Sequence, residues 1–469
     1  MTAVGYAGCA MHSARASVIF RGLRKDTLPV IRRRRGARRE SPFRVRGVAC
    51  QQGRREGTLF PDVVGRGAEE IAVTLRRTDD LCIGAVVPRT GRLARLGDPL
   101  AFALERLAPR LARPGRGNRR RTFRLAWRDS QSDPDGARRA VAELVRDEGA
   151  RMVVTLGGTR VLPAVADACE VLGIPCLSTG FPWQAYVFGR GGDPARPFRW
   201  TYHFAWGLDD IATVFAELWE HLGPGRTVGC LWNTGPQGQL LRDPRHGFAP
   251  VAAARGHTLV DPGGYREPAT CFEGHVHRFK EAGVEVVTGA ATAGDMALFH
   301  RQAREAGLRP RLITCSRWLT HPGEGGVPDG LAEADVATLV YWTPRHPFRS
   351  SLDGTTTAGL AEEYQRTTGR PWLQPLGLAH ALLEVAAHAL ATADDPMDRH
   401  AVAAALGRTR LATVAGLLDF TAGPTPNIAL VPLIGGQWRS GRRRGHELTL
   451  VTNARLPKVA PNAELSVGP

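Results

Sequence analysis

Two short loops carry the residues best suited to hold a small polar molecule. The first, Gly157-Gly158-Thr159-Arg160, follows the apolar run 152–156 and opens an apolar helical pattern over 162–172. The second, residues 179–183, follows a short strand pattern over 174–178 and contains Thr179, Phe181 and Trp183. Ser178 and Thr179 offer hydroxyls there. Both loops lie at the carboxyl ends of predicted parallel strands, the edge where open α/β sheets bind ligands. Arg160 either forms a bidentate pair with a carboxylate or faces solvent at the helix start. A third loop, 89–97, follows the first predicted strand.

Aromatic residues gather near the same edge. Trp183, Tyr202, Trp206, Trp232, Trp318 and Trp342 fall at predicted strand ends and segment crossings. Each suits either stacking on a planar solute or packing in a core. Asn233 and Gln237, in the loop after a strand at 227–232, offer amide hydrogen bonds, and Arg317 adds a guanidinium. The eight cysteines contain no CxxC pair. Cys169 and Cys176 lie on either side of one turn and are read as a disulfide or as two buried thiols. Cys271 and His275 stand four apart without a third ligand, so no metal site is expected. No GxSxG elbow, P-loop, HExxH or helix-opening GxGxxG occurs, so no catalytic residue or cofactor is assigned and the chain is not read as an enzyme.

The elements that must position these loops are β-α units. Asp133 is a helix cap and Pro134 suits the first turn, with Ala137, Val141, Leu144 and Val145 on one face. Gly149 and Gly173 stop successive helices. Strands are expected at 82–88, 123–129, 227–232, 257–260, 284–288 and 311–315, and helices at 101–111, 209–221, 355–368 and 376–391. Asp209 is the expected cap of 209–221. Aromatic, proline-broken stretches at 194–204 and 337–344 read as crossings between two halves, and the β-rich 416–438 as a third.

The ordered series IGAVVPRTGRLARLG, DSQSDPDGARRAVAELV, VVTLGGTRVLP, GIPCLST, PWQAYVFGRGG, VGCLWNTGPQG, GVEVVTGAATAGDMALFHRQAREAG and GQWRSG resembles the periplasmic-binding-protein type I family over about residues 80–455. The resemblance is to its leucine/isoleucine/valine-binding group of ABC-transporter solute receptors, which includes amide receptors. It implies an α/β fold of two Rossmann-like lobes with parallel sheets, joined by three crossing segments. Lobe 1 is expected at 80–203 plus about 340–415, lobe 2 at 204–339 plus about 416–455, and a tail at 456–469. It implies capture of a small organic solute, amino-acid-like, amide or aromatic acid, by hinge closure, with an ABC-transporter permease as partner. The resemblance places Thr159 and Thr179 near the carboxylate- or amide-holding positions, and with the loop and aromatic reading above the expected ligand-binding residues are Thr159, Arg160, Ser178, Thr179, Trp183, Tyr202, Trp232, Asn233 and Trp342. The Gly-Gly-Thr-Arg loop departs from the serine-rich loop of amino-acid receptors, which argues against an α-amino acid.

Charge is uneven. Residues 1–58 hold fourteen Lys/Arg against three Asp/Glu, so +11 of the net +17 lies there and +6 in the remaining 411 residues. The main body is therefore only mildly basic, and no nucleic acid is expected as its partner. The run IRRRRGARRE reads as a disordered basic extension over 1–79, or as sequence upstream of the true start. Family resemblance implies an extracytoplasmic location. The absence of a recognisable export signal leaves open a cytoplasmic ligand-sensing regulator on the same scaffold.

Overall fold

The computed structural model of the protein describes residues 81–113, 121–317, 336–440 and 446–468. All belong to the unit Thr74–Pro469. The basic extension, Cys9, Cys50 and Trp318 lie outside the described residues.

The first half runs β1 (Leu81–Val87), α1 (Ala94–Leu111), β2 (Phe123–Asp129), α2 (Pro134–Arg146), β3 (Ala150–Leu156), α3 (Val161–Leu172), β4 (Cys176–Thr179), α4 (Trp183–Phe188) and β5 (Thr201–Ala205). The second runs α5 (Leu208–Glu220), β6 (Thr227–Leu231), α6 (Pro236–Arg242), α7 (Ala249–Ala254), β7 (Thr258–Val260), α8 (Glu273–Glu281), β8 (Val286–Gly289), α9 (Ala293–Glu305), β9 (Leu312–Cys315) and β10 (Ala337–Val340). The chain then adds α10 (Thr357–Thr368), α11 (Pro375–Thr392), α12 (Arg399–Gly407), β11 (Arg410–Thr413), β12 (Gly416–Asp419), β13 (Ile428–Leu430), β14 (Ile434–Ser440) and β15 (His446–Thr452).

Two sheets result. The first has the order β13-β5-β4-β3-β1-β2 and is parallel throughout. The second has the order β15-β14-β10-β9-β8-β6-β7 and is parallel except for β14 and β15. Strands covered on both faces must be apolar throughout, and β1 is buried along its whole length. Helices α2 and α3 cover one face of the first sheet, and α1 and α11 the other. Helix α11 is apolar nearly all round because it lies fully inside the lobe. In the second lobe α5 and α7 pack on one face, and α8 and α9 stand on the other.

Several local expectations are met by the predicted residues. The Asp133 carboxylate accepts from Gly136 N at 2.9 Å and caps α2, with Pro134 next to it. Gly173 ends α3 with φ +64°. Others are corrected. Helix α1 begins at Ala94 rather than at 101, because Gly97 lets the first turns close on the preceding loop. A Cβ at Gly97 would stand 2.2 Å from the Pro88 carbonyl oxygen. Helix α5 is capped by Gly207, not Asp209: the Asp210 side chain accepts from Gly207 N at 2.7 Å. Buried Leu208 thereby joins the apolar face of Ile211, Val214, Phe215 and Leu218.

The chain passes between the sheets three times: after Ala205, after Val340 and after Leu430. The last passage falls later than the expected 416, because β11 and β12 pair with each other and β13 pairs with β5. Residues 456–468 are more than a tail. Val459 is buried, Gln437 Oε1 accepts from Ser466 N at 2.8 Å, and Gly468 N donates to Arg311 O at 2.8 Å. They line the second lobe. Among the described residues no helix is long and apolar enough to cross a membrane.

Candidate functional site

The loops at the carboxyl edge of the first sheet hold one another in place. Asp129, ending β2, accepts from Arg89 N at 2.9 Å, Thr90 N at 3.3 Å, Thr90 Oγ1 at 2.6 Å and Gln131 N at 2.8 Å. Burial pushes this carboxyl up, but those hydrogen bonds prevail and hold it below its ordinary value. Leu93 N donates to Ser132 Oγ at 3.0 Å, and the Leu93 side chain reaches over Gly158. The three loops therefore meet.

No side chain caps the first turn of α3, which follows the loop Gly157, Gly158, Thr159 and Arg160, with Arg160 at the cap position. The first N–H groups of a helix need partners from outside it, and they favour an anion. Thr159 is half-buried and Arg160 exposed, and neither side chain is hydrogen-bonded among the described residues. Gly180 brings the next loop close: its φ is +127°, and a Cβ there would stand 3.2 Å from Gly157 O. Trp183, half-buried, begins α4, and its N–H donates to Trp206 O at 3.0 Å.

Other predicted contacts are committed elsewhere. Ser178 Oγ lies 2.9 Å from His203 Nδ1 and 3.2 Å from Tyr202 O. Thr179 Oγ1 donates to Phe204 O at 2.5 Å. Both hydroxyls are buried in a sheet interior, where a neighbouring group must satisfy them. Tyr202 OH donates to Ala403 O at 2.7 Å and packs against Phe420 and α12. Trp232 is buried edge-on to Phe248. Trp342 is fully buried, with its indole N–H on Val414 O at 3.0 Å and Trp372 at its edge. These residues shape lobes and crossings, and their side chains do not stand free at the edge.

At the facing edge of the second sheet, Asn233 Nδ2 donates to Glu267 Oε2 at 3.1 Å, and Arg317 NH1 donates to the same oxygen at 2.5 Å. Gln237 is half-buried on the first turn of α6. The crossings hold a pair of which the sequence singled out only Trp206. The Trp206 and Tyr341 rings stack at 4.4 Å and 20°, each directly after the strand that leaves its sheet. The Trp206 indole N–H is buried without a partner. Tyr341 had no signal beyond its place beside Trp342. Between the lobes, Phe188 of α4 meets His246 at 4.7 Å, and Leu240 of α6 packs on the apolar cluster around α4. Gln184 joins α4 to α5, donating to Asp209 Oδ1 at 2.7 Å and accepting from Leu208 N at 2.8 Å.

Cys169 and Cys176 are both buried free thiols, and burial with Cys176 alongside raises the Cys169 thiol well above its ordinary range. Cys271 is exposed ahead of α8, while His275 Nε2 bonds Gly263 O at 3.2 Å, so the two do not converge. Among the described residues no three His, Cys, Asp or Glu side chains are placed to hold a metal ion.

Two open α/β lobes, linked by three crossings and facing each other at their carboxyl edges, define a solute-binding architecture. The family model described as periplasmic binding protein matches residues 81–437, and the chain belongs to that family. A leucine-binding protein of Thermotoga maritima is similar at 15% identity, covering 80% of this chain and 99% of its own, with a TM-score of 0.57. A Rhodopseudomonas palustris solute-binding protein in complex with benzoate is 15% identical, with 83% and 99% covered and a TM-score of 0.58. A branched-chain amino acid transporter substrate-binding protein of Streptococcus pneumoniae in complex with isoleucine is 14% identical, with 79% and 99% covered and a TM-score of 0.57. No curated protein sequence matches the chain.

Proposed function

We propose that the protein is the extracytoplasmic solute receptor of an ABC importer and captures a small organic carboxylate with an apolar or aromatic body. The observation that carries this reading is the glycine-rich loop 157–160 that leads into α3 with no side-chain cap, set beside a half-buried tryptophan. Backbone N–H groups there suit a carboxylate, with the Thr159 hydroxyl and the Arg160 guanidinium as further donors. Trp183 suits the solute's body, and Gln237 and Arg317 suit its far end from the second lobe, while Asn233 is buried and holds Glu267 and Gly235 N. Benzoate and isoleucine, bound by similar proteins, both carry a carboxylate.

The lobes divide as 81–205 with 341–430, and 206–340 with 434–468. A solute touching both lobes favours the closed arrangement, and one bound equally well by open and closed forms shifts nothing. The closed form is then the one a permease reads.

The test is thermal unfolding of the full chain with benzoate, leucine, isoleucine and the uncharged benzamide. A ligand at 100 times its dissociation constant stabilises the fold by about 2.7 kcal/mol. A carboxylate that raises the midpoint, with an effect reduced in Thr159→Val and Arg160→Gln, supports the reading. Stabilisation by benzamide equal to that by benzoate removes the carboxylate from it.

A further inference from the structure

We propose that His203 is a positioning residue for the solute site: its ring N–H fixes the Phe181 carbonyl and thereby the place where Trp183 stands. This rests on the solute-receptor reading for its purpose, though not for its geometry.

His203 lies on β5 and is completely buried. Its Nε2 is 2.9 Å from Phe181 O. A carbonyl oxygen only accepts, so Nε2 carries the proton. In a neutral ring Nδ1 is then bare and is an acceptor for the Ser178 hydroxyl at 2.9 Å, the nearer of that hydroxyl's two acceptors, Tyr202 O standing at 3.2 Å. The Phe181 carbonyl thus selects the tautomer, and the Ser178 hydroxyl, able to donate or accept, fits it. Burial keeps the imidazole neutral, with a pKa lowered to about 3.

The ring cannot rotate away. It stacks on Tyr186 of α4 at 4.3 Å and 10°, and Phe181 packs on it at 5.5 Å. Beyond Tyr186, the Arg190 guanidinium lies 4.6 Å from that ring and 3.8 Å from the Phe198 ring. Arg190 is held in turn by Asp167 Oδ1 at 2.7 Å and Thr201 Oγ1 at 3.0 Å. Imidazole, phenol and guanidinium form one buried column under the loop.

From Phe181 the chain has little freedom before Trp183. The 181–182 peptide is planar and precedes a proline, whose φ is −54°. Trp183 N then bonds Trp206 O at the first crossing. The loop is held on one side by His203 and on the other by the hinge. His203 itself is too deep to touch a solute.

Amide hydrogen exchange at Trp183 in the full chain tests this directly, because that N–H donates the second anchoring bond. His203→Phe keeps a ring in the column but removes the donor, whereas His203→Gln restores a donor at similar reach. Exchange at Trp183 should quicken about tenfold in His203→Phe, the scale of one hydrogen bond, and return most of the way in His203→Gln. Amides of β1 should not change. Unchanged exchange at Trp183 in His203→Phe overturns the proposal. So does equal acceleration in both variants, which would assign the effect to ring packing. Should His203→Phe not fold, ring nitrogen NMR of the unaltered protein between about pH 5 and pH 8 decides: a proton on Nε2 supports the proposal and a proton on Nδ1 overturns it. None of these readouts needs a solute, so an empty solute screen would sink the receptor reading alone.

Discussion

Acidification from about pH 7.5 to pH 5 should cost this protein folding stability through histidines buried in the neutral form, with a net of about 4 kcal/mol from His203, His346, His380 and Glu384. Burial lowers His203 and His380 to about 3 and His346 to about 4. All three stay neutral in the fold over that interval, while in the unfolded chain they protonate near pH 6.5. The stability they lend is therefore intact above pH 6.5 and lost as the pH falls towards their folded values. Each contributes roughly 2 kcal/mol of loss by pH 5, or about 6 together. Glu384 works the other way. Burial raises it to about 7, against hydrogen bonds from Val414 N and Ser351. Its folded form takes up a proton before the unfolded form does, so acidification returns roughly 2 kcal/mol. The histidines win. Asp353, lowered to about 2, acts only at more acid pH. Urea unfolding at several pH values across this interval measures the slope. His380→Gln should remove about a third of the histidine loss, and Glu384→Gln should steepen the decline. A stability that is flat or rising on acidification would refute the assignment of neutral buried imidazoles.

Three further outcomes are expected. Trp183→Ala should weaken binding of a stabilising carboxylate by about 1 kcal/mol, roughly fivefold in dissociation constant, while unfolding stays cooperative; unchanged affinity in calorimetry would remove Trp183 from the site. Gly377→Ala should destabilise by about 1–3 kcal/mol despite the better helix propensity of alanine, because the new Cβ would meet Trp342 Cδ1 at 2.1 Å and that indole is pinned by its bond to Val414 O; a raised denaturation midpoint would contradict this. Oxidation of the purified protein should link Cys169 to Cys176 across a short loop and add about 2–3 kcal/mol of stability; free alkylated thiols at both positions in non-reduced peptide maps would end that idea.

The β-α rhythm was legible because it is local. A capped helix start at Asp133, a left-handed stop at Gly173 and the apolar run at 152–156 each declare themselves within a few residues. The same locality placed Thr159, Arg160 and Trp183 at a carboxyl edge. It could not say which way a strand's side chains point. Ser178 and Thr179 end the same strand and looked available, yet the parallel pairing of β4 with β5 turns their hydroxyls towards His203 and Phe204.

What the chain alone determined is the family, the order of the units and the loops that border the site. The order of the units and the placing of the loops follow from spacing along the sequence, and the family from the resemblance of its ordered motifs. Tertiary structure decided what depends on pairs distant in sequence. It stacked Trp206 on Tyr341, and it used Tyr202 and Trp342 to hold Ala403 and Val414. It also carried the chain back to the second lobe only after β13 had paired with β5. Hydrogen bonds and ring contacts of this kind depend on three-dimensional packing, and no periodicity in the sequence encodes them.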